Sequence, residues 1–402
     1  MGSVGLAVAF PRLPFSGLPK IMTILATIAT ARAPLAAFAA MGVVWGTFAA
    51  VLPDLKSALG VNEAELGLLI FFTPVAAVLA MLAAPAFGAA LGRVALPVSA
   101  VFMALAFILP GQTASLLVFP LAMMACGAAT GLTDVLMNAR VAALENDRDI
   151  PLMNLCHAAY SFGYAAAALI TGALRDAGVG PSVVTGSLAM LALTFALLTY
   201  ERDGRIEGLG RPTDGSSARL GLIPVIGGAM VLIAFLTENA AESWSALHIE
   251  KTLGGSPAQG AMGPATLALT MGIARIAGQG LISRVNPFTL LRGGALVSAV
   301  GALIAALATT PVMAYCGFII MGIGSSVIAP TAFSLVGRLA APRARARAIA
   351  RATLLGYFGY FFGPPMLGLI AGSFGLRFAF VTAALFLMAI LVLGPWMKRA
   401  SR

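Results

Sequence analysis

The stretch GAATGLTDVLMNARVAALENDRDIPLMNLCHAAYSFGY, residues 127–164, joins two apolar runs through a short charged loop. The first run carries Asp134, and the second carries Asn154, His157 and Tyr160. Polar groups are costly in the hydrocarbon core of a membrane, and an ionisable residue found there is by default a candidate for function. The significance of this stretch therefore depends on whether the whole chain is a membrane protein.

The composition of the chain is that of a membrane protein. Of its 402 residues, 60% are hydrophobic and only 10% are charged, whereas a soluble domain carries about 25% charged residues. The mean hydropathy is +0.96, so a soluble fold would lack the polar residues needed to cover its surface. The three cysteines, Cys126, Cys156 and Cys316, lie in apolar runs without metal-ligand spacing, and we expect them to be small buried hydrophobes.

Apolar runs of about 20 residues predict an all-α membrane protein with twelve transmembrane helices. The predicted spans are 34–55, 62–85, 92–110, 113–140, 152–174, 181–200, 219–244, 259–282, 288–308, 311–337, 346–371 and 375–397.

The distribution of basic residues predicts the orientation of these spans. Twenty of the 25 Lys and Arg residues fall on the same side as the N-terminus, four fall on the opposite side, and Arg275 lies within a span. Basic loops stay in the cytoplasm. The pattern predicts a multi-pass protein of the inner (plasma) membrane with both termini cytoplasmic.

A polar interval, ERDGRIEGLGRPTDGSSA at 201–218, divides the spans into two sets of six and predicts a flexible cytoplasmic linker. We interpret residues 1–32 as a cytoplasmic extension, with Met22 as an alternative start to Met1; a cleaved signal peptide is the other interpretation. The predicted organisation is an extension at 1–32, a six-helix bundle at 33–200, the linker, a second bundle at 219–397 and a tail at 398–402.

Short internal matches indicate that the two halves are duplicates. SFGY at 161–164 and YFGY at 357–360 are separated by 196 residues, and Gly172 and Gly368 share the same offset. Repeated halves of this kind are typical of transporters whose binding site lies at the repeat interface. The matches therefore predict two pseudo-symmetric bundles.

Two longer motifs resemble the major facilitator superfamily, and within it the fucose-permease-like branch with its bacterial inner-membrane members. The motifs are GLTDVLMNARVAALE…PLMNLCHAAYSFGY and ENAAESWSALHIEKTLGGSPAQGA, and the layout covers about residues 33–397. The resemblance implies two bundles around a central cavity and secondary active transport by alternating access, commonly coupled to protons. It also implies a proton- and substrate-binding role for Asp134, because the fucose permease has an acid at a similar position.

The chain departs from the family pattern in the loops thought to latch the cytoplasmic side. GAALGRVALPVS contains Arg93 but no acid, and Gln279 stands where an Asp is often found in the second half. The usual gating contact is therefore in doubt. Our gating candidates are Arg93, Arg140, Arg275, Gln279 and Pro364; for Arg275 we favour snorkelling of the side chain to the interface.

Three acids lie well inside predicted spans, and together with one histidine they are our proton-coupling candidates: Asp134, Glu238, Glu242 and His157. A carboxylate removed from water holds its proton more readily, and two acids four residues apart on one helix face disfavour each other's ionisation. Asp134 alternatively pairs with Arg140 or Arg93 as a structural group. Glu242 and Trp244 alternatively mark the outer membrane interface, and His248 is expected at the surface.

Polar and aromatic residues near these groups are candidates for the substrate pathway, since they can hydrogen-bond or stack on a solute. The alternative for each is ordinary packing. The candidates are Trp45, Asn138, Asn154, Tyr160, Tyr164, Asn239, Tyr357 and Tyr360.

The sequence thus predicts a secondary transporter of a small polar solute, a sugar being one possibility, coupled to protons. A proton-driven exporter of drugs or metabolites and a transporter-like membrane sensor are the alternatives. We predict no enzymatic activity, since HExxH and GxSxG motifs are absent, and the absence of a GxxxxGK[ST] motif argues against ATP-driven transport. The expected partners are a small-molecule substrate, protons and the lipid bilayer. We expect no cofactor, metal or nucleic acid, and we expect the protein to be a monomer.

Overall fold

The structure is a computed structural model that describes residues 26–148, 150–204, 206, 221–282, 285–341 and 345–400. Within those ranges, the side chains of residues 279–282 and 346 are also not described. Most of the predicted N-terminal extension and of the 201–218 linker lies outside the described residues, as does the question of the true start.

All the secondary structure in the described ranges is helical, which confirms the predicted fold class. The first half contains α1 (Arg32–Leu59), α2 (Glu63–Ile70), α3 (Phe72–Leu91), α4 (Ala95–Ala106), α5 (Val118–Arg148), α6 (Met153–Asp176) and α7 (Pro181–Leu197). The second half contains α8 (Ile223–Leu247), α9 (Pro257–Ile282), α10 (Pro287–Leu307), α11 (Pro311–Leu339), α12 (Arg345–Phe374) and α13 (Leu376–Ala400).

A helical pass lies at each of the twelve predicted positions, with α2 and α3 together forming the second pass. Eight segments of the described chain are long and apolar enough to cross a membrane, and one of them, 63–112, covers two passes. The other three passes are α6, α7 and α9. Helix α7 has only 17 residues. Helix α6 carries polar residues of the stretch 127–164, so packing inside the bundle rather than hydropathy determines the position of α6.

Local signals in the sequence explain where several helices begin and end. Gly60 ends α1 in the left-handed conformation with φ of 68°, which glycine adopts without steric cost. Asn62 then caps α2, its side chain accepting from the Glu65 amide at 2.9 Å while Glu65 accepts from the Asn62 amide at 2.9 Å. Proline occupies the first turn of α7, α10 and α11, where its missing N–H costs nothing.

Contacts between helix ends show that successive passes run antiparallel. At the end of the bundle near residues 32 and 400, here called the termini end, Arg32 donates to the carbonyl of Leu198 at 2.8 Å. At the opposite end, the far end, Lys56 pairs with Glu63 at 3.0 Å. Short loops therefore connect neighbouring passes alternately at the two ends.

Glycines set the closest helix contacts inside each half, and they do so in a repeated way. A Cβ on Gly163 of α6 would press on the carbonyl of Ala39 in α1, and a Cβ on Gly359 of α12 would collide with the carbonyl of Leu232 in α8. Gly163 and Gly359 are the central glycines of SFGY and YFGY. The internal match thus corresponds to the same helix crossing in both halves, which supports the predicted pseudo-symmetry.

The second pair of matched glycines joins the two halves to each other. Gly172 of α6 packs against Ala258 and Ala261 of α9, and Gly368 of α12 packs against Glu63 and Gly67 of α2. These four helices therefore form the interface between the halves near the far end. Helix α12 continues through Pro364, whose carbonyl lies against Gly67.

Three expectations about burial are wrong. Cys316 is exposed, because its position on α11 faces away from the other helices. His248 is fully buried, and its Nε2 lies 3.0 Å from the carbonyl of Ala305. Trp244 is also fully buried rather than at a membrane interface. The far end of α8 is covered by neighbouring helices, which a count of residues along the span does not reveal.

Candidate functional site between the two halves

Asp134 of α5 forms a hydrogen-bonded link between the two halves of the protein. Tyr357 of α12 donates its hydroxyl to Asp134 Oδ2 at 2.8 Å. Asn138, one turn along α5, donates to Asp134 Oδ1 at 3.1 Å. The predicted shared face of Asp134 and Asn138 is confirmed, and Tyr357 joins them from a position 223 residues away.

The alternative interpretation of Asp134 as the partner of a nearby arginine is wrong. Arg140 instead pairs with Glu201 at 2.9 Å, at the termini end and within the first half. Arg93 is exposed in a 3₁₀ turn between α3 and α4. Arg140 lies six residues along α5 from Asp134, so the helical twist turns it to a different neighbour.

Arg275 of α9 is paired inside the bundle rather than extended to the interface. Its Nη2 lies 3.5 Å from Glu238 Oε1 of α8, and the two side chains are only 18% and 13% exposed. The snorkelling interpretation is therefore wrong. An arginine stays charged, so within a helix bundle it needs a polar or charged partner, which Glu238 supplies here.

Glu242 lies one turn beyond Glu238 on the same face of α8, as the spacing predicts. The two acids interact electrostatically with each other and with Arg275. Asn239 lies between them in sequence, and its side-chain oxygen is buried without a hydrogen-bond partner among the described residues. Gly363 leaves space for this amide, since a Cβ there would lie 3.1 Å from Asn239 Oδ1.

The side chains of α6 approach this acidic pair from the first half. Tyr160 interacts electrostatically with Glu242, Glu238, Arg275 and Asp134. His157, one turn earlier, interacts with Arg275 and packs edge-on against Phe38 with ring centroids 4.9 Å apart. Helix α6 therefore brings His157 and Tyr160 to the same interface as the acids of α8.

Aromatic rings surround the polar groups. Tyr160 and Tyr164 lie with ring centroids 5.9 Å apart, and Tyr360 of α12 stacks on Phe235 of α8 at 4.7 Å. Trp45 of α1 packs beside the two tyrosines of α6. The structure therefore places the tyrosine candidates near the carboxylates and Trp45 next to two of those tyrosines, so that aromatic rings and hydroxyl groups lie close to the acids.

Some candidates are not brought to this site. Asn154 is exposed near the start of α6. The side chain of Gln279 lies outside the described residues. Arg93 and Arg140 remain at the termini end without a described contact to the second half, and Pro364 contributes through its backbone contact with Gly67.

A charged cluster at the far end was missed by the sequence analysis. Arg175 of α6 donates to Asp54 of α1 at 2.6 and 2.8 Å and to Glu250 of the π-helical turn His248–Thr252 at 2.7 and 3.0 Å. We call these three residues the far-end clamp. The Arg175 side chain is 1% exposed, and it joins α1 and α6 of the first half to the second half.

The signal for the clamp was weak. Asp54 stands at the last turn of a predicted span, and Arg175 and Glu250 stand beside predicted loops, where charged residues are usually solvated. Arg175 is one of only four basic residues on that side of the predicted topology. This scarcity was the one indication that it has a specific partner.

We expect Tyr357→Phe to lower the thermal stability of the purified protein. The variant removes the hydroxyl that donates to Asp134, and a hydrogen bond to a charged group contributes about 1.5–3 kcal/mol. Tyr360→Phe is the matched control, since the Tyr360 hydroxyl has no hydrogen bond within the described ranges. Equal melting temperatures for the two variants in a detergent unfolding assay would show that the Asp134–Tyr357 link is unimportant for stability.

Comparison with known proteins establishes the family. A family model of the Major Facilitator Superfamily matches residues 226–402. An uncharacterised MFS-type transporter of Yersinia pestis is 30% identical over 357 residues, which cover 88% of this chain and 92% of that protein. The chain belongs to the major facilitator superfamily. The predicted superfamily is therefore confirmed, and the relative spans both halves of this chain.

Solved structures agree with this major facilitator fold. A bacterial homologue of the human lysosomal transporter Spinster, in an inward-facing and occupied conformation, has a TM-score of 0.73 at 14% identity, covering 96% of this chain and 98% of that one. The fucose:proton symporter of E. coli has a TM-score of 0.60 at 17% identity, covering 92% and 99%. At such identities both show the fold alone and do not assign this member to the fucose-permease-like branch.

Proposed function

We propose that this protein is a secondary active transporter that couples movement of a small solute to protons. The observation that carries the proposal is the position of Asp134, Glu238 and Glu242, which are brought together between two similar halves. Buried carboxylates that exchange protons with a passing solute are the usual coupling groups of membrane transporters. The family relationship supports transport, since the Y. pestis relative is described as an MFS-type transporter.

Alternating access is the mechanism that this arrangement supports. The far-end clamp and the glycine crossings between α2 and α12 hold the halves together at the far end. Rocking of the halves about the central site would break these contacts and open that end. We infer that the termini end is cytoplasmic in the inner membrane, from the excess of basic residues there, so that the described state is closed to the outside.

The Asp134–Tyr357 hydrogen bond supplies a physical reason for coupling. When Asp134 is ionised, it accepts from the Tyr357 hydroxyl and so favours the state in which α5 and α12 are close. Protonation of Asp134 weakens that acceptor, because a charged hydrogen bond is about twice as strong as a neutral one. Proton binding to Asp134 therefore favours separation of α5 from α12, and so of the two halves, at this contact. A fucose-like sugar is one candidate solute, since the fucose:proton symporter shares the fold.

The proposal is tested in proteoliposomes with a solute found by thermal-shift screening of sugars, organic acids, amino acids and amines. An imposed pH gradient should drive accumulation of that solute by the wild type, and a protonophore should abolish it. In Asp134→Asn, gradient-driven accumulation should fall at least tenfold. The reason is that the variant loses one charged interaction, worth about 1.5–3 kcal/mol, and about 1.4 kcal/mol corresponds to a factor of ten.

Asp147→Asn is the matched control for this experiment. Asp147 is an exposed acid near the end of the same helix, α5, so its loss should leave accumulation unchanged. Gradient-driven accumulation that is as strong in Asp134→Asn as in the wild type would remove Asp134 from the coupling mechanism. A wild type that moves no solute down or against any gradient would contradict transport itself.

A further inference from the structure

The site between the halves contains more carboxylates than cations. Asp134, Glu238 and Glu242 lie there with a single guanidinium, that of Arg275, among the described residues. Arg275 pairs with Glu238, and Asp134 is satisfied by Tyr357 and Asn138. Glu242 is thus left without an ion-pair partner in the part of the chain that the structure describes.

A second observation concerns Tyr164, which lies in the same part of the site. The hydroxyl of Tyr164 has no hydrogen-bond partner among the described residues, although the residue is only 1% exposed. Glu242 is among the charged groups close enough to Tyr164 to interact with it electrostatically. A buried hydroxyl normally finds a partner, so an unpaired one beside an unpaired carboxylate indicates a place for a bound polar group.

The surrounding rings restrict the chemistry of that group. Tyr160, Tyr164 and Tyr360 all interact electrostatically with Glu242, and Tyr360 is stacked on Phe235. Aromatic faces attract cations, especially where water is excluded. An anion would be repelled by an ionised Glu242, and a neutral solute would offer no positive charge to replace the proton that a carboxylate removed from water tends to hold.

We propose that the transported solute is an organic cation whose ammonium group binds Glu242 between the tyrosines of α6 and α12, and that it exchanges for protons. This inference rests on the proposed transport function and names its substrate class. The ammonium group and a proton neutralise the same carboxylates, so binding of one disfavours binding of the other. The titratable groups that interact electrostatically with Glu242 are Glu238, Tyr160, Tyr164, Arg275 and Tyr360.

Calorimetric titration of the purified protein with two matched solute pairs tests this assignment. Glucosamine is compared with glucose, and benzylamine with benzyl alcohol, at a pH where both amines are protonated. Each pair differs mainly in whether an ammonium group is present. We expect at least one amine to bind while its neutral counterpart does not, and to release protons, as measured from binding enthalpies in two buffers of different ionisation enthalpy.

Glu242→Gln tests whether the Glu242 carboxylate binds the ammonium group. We expect this variant to bind the amine about tenfold to a hundredfold more weakly and to release fewer protons, since one charged contact is lost. Glu65→Gln is the control, because Glu65 lies in the capping box at the far end. Circular dichroism and gel filtration of both variants check that they fold, and Glu242→Asp, which keeps the charge, should recover part of the binding.

The possible results separate the substrate class from transport itself. Amine binding that requires Glu242, with no flux of that amine in proteoliposomes under a pH gradient, would retain the cation site and reject the transport function. Binding of glucose or benzyl alcohol as tightly as the amines would reject the cation class and leave transport standing. Equal amine affinity in Glu242→Gln and the wild type, or no amine binding to the wild type, would also overturn the inference.

Discussion

Arg175→Met is expected to destabilise the protein by about 3–5 kcal/mol, because it removes the shared partner of two carboxylates in a water-poor site. Asp54 and Glu250 would remain close together, with side chains 33% and 11% exposed. The carbonyl of Ala50, which accepts from Arg175 at 2.8 Å, would also lose its donor. Thermal and chemical unfolding in detergent should show a lowered transition.

Arg140→Met is the matched control for this variant. Arg140 also pairs with a glutamate, Glu201, at 2.9 Å, but it has one carboxylate partner and lies within a single half. We therefore expect a clearly smaller loss of stability. A similar loss for the two arginines would indicate that the far-end clamp has no special weight in the fold.

Glu250→Gln separates the conformational role of the clamp from its structural role. This variant keeps the bidentate Arg175–Asp54 pair inside the first half and weakens only the contact of Arg175 with residue 250 of the second half. We expect the folded protein to open more often at the far end. Cysteines placed at Ala64 and Gly372, whose backbones pack closely, should then crosslink less efficiently in a variant without the three native cysteines.

The second large effect is expected for Gly46→Val, from which we expect no folded protein to be recovered. A Cβ on Gly46 of α1 would collide with the carbonyl of Tyr164 in α6, and Gly42 meets the carbonyl of Tyr160 in the same way. A backbone carbonyl cannot rotate aside as a flexible side chain can. The two helices must therefore separate, and α6 carries His157, Tyr160 and Tyr164 of the candidate site.

Gly46→Ala is the milder form of this test and keeps it interpretable. A single added methyl should cost about 1–3 kcal/mol and should weaken solute binding as well as stability, since it displaces the site residues of α6. Gly186→Ala is the control, because a Cβ at Gly186 meets no atom within 4 Å. Wild-type melting temperature and yield for Gly46→Ala would show that α1 and α6 are not in close contact.

The positions of the helices followed from the sequence because hydrophobicity and length act locally. The twelve apolar runs carry their signal along the chain itself, and the structure shows that the Asn62 cap and the prolines at helix starts also act over a few residues. The rare acids inside those runs, Asp134, Glu238 and Glu242, were also visible, since any charge in an apolar run is conspicuous. The candidate site was therefore largely predictable as a set of residues.

The partners of these residues were not predictable. The sequence suggested that Arg140 could pair with Asp134 and that Arg275 extends to the membrane interface. Arg140 instead pairs with Glu201, and Arg275 pairs with Glu238. Each pair joins different helices, so the choice depends on which helix faces turn toward each other. His248 was misplaced for the same reason, because burial at the end of a span depends on the neighbouring helices.

By itself, the sequence determined that this chain is a helical membrane protein of duplicated halves with acids inside its spans. Only the tertiary structure decided that Asp134 is linked to Tyr357, that Glu242 lacks a counter-charge in the described chain, and that Arg175 clamps Asp54 to Glu250. Hydropathy and capping depend on neighbours along the chain, whereas the links made by Arg175 to Glu250 and by Tyr357 to Asp134 join residues 75 and 223 positions apart and depend on helix packing. That packing is set by small residues such as Gly46 and Gly172, whose partners the sequence does not name.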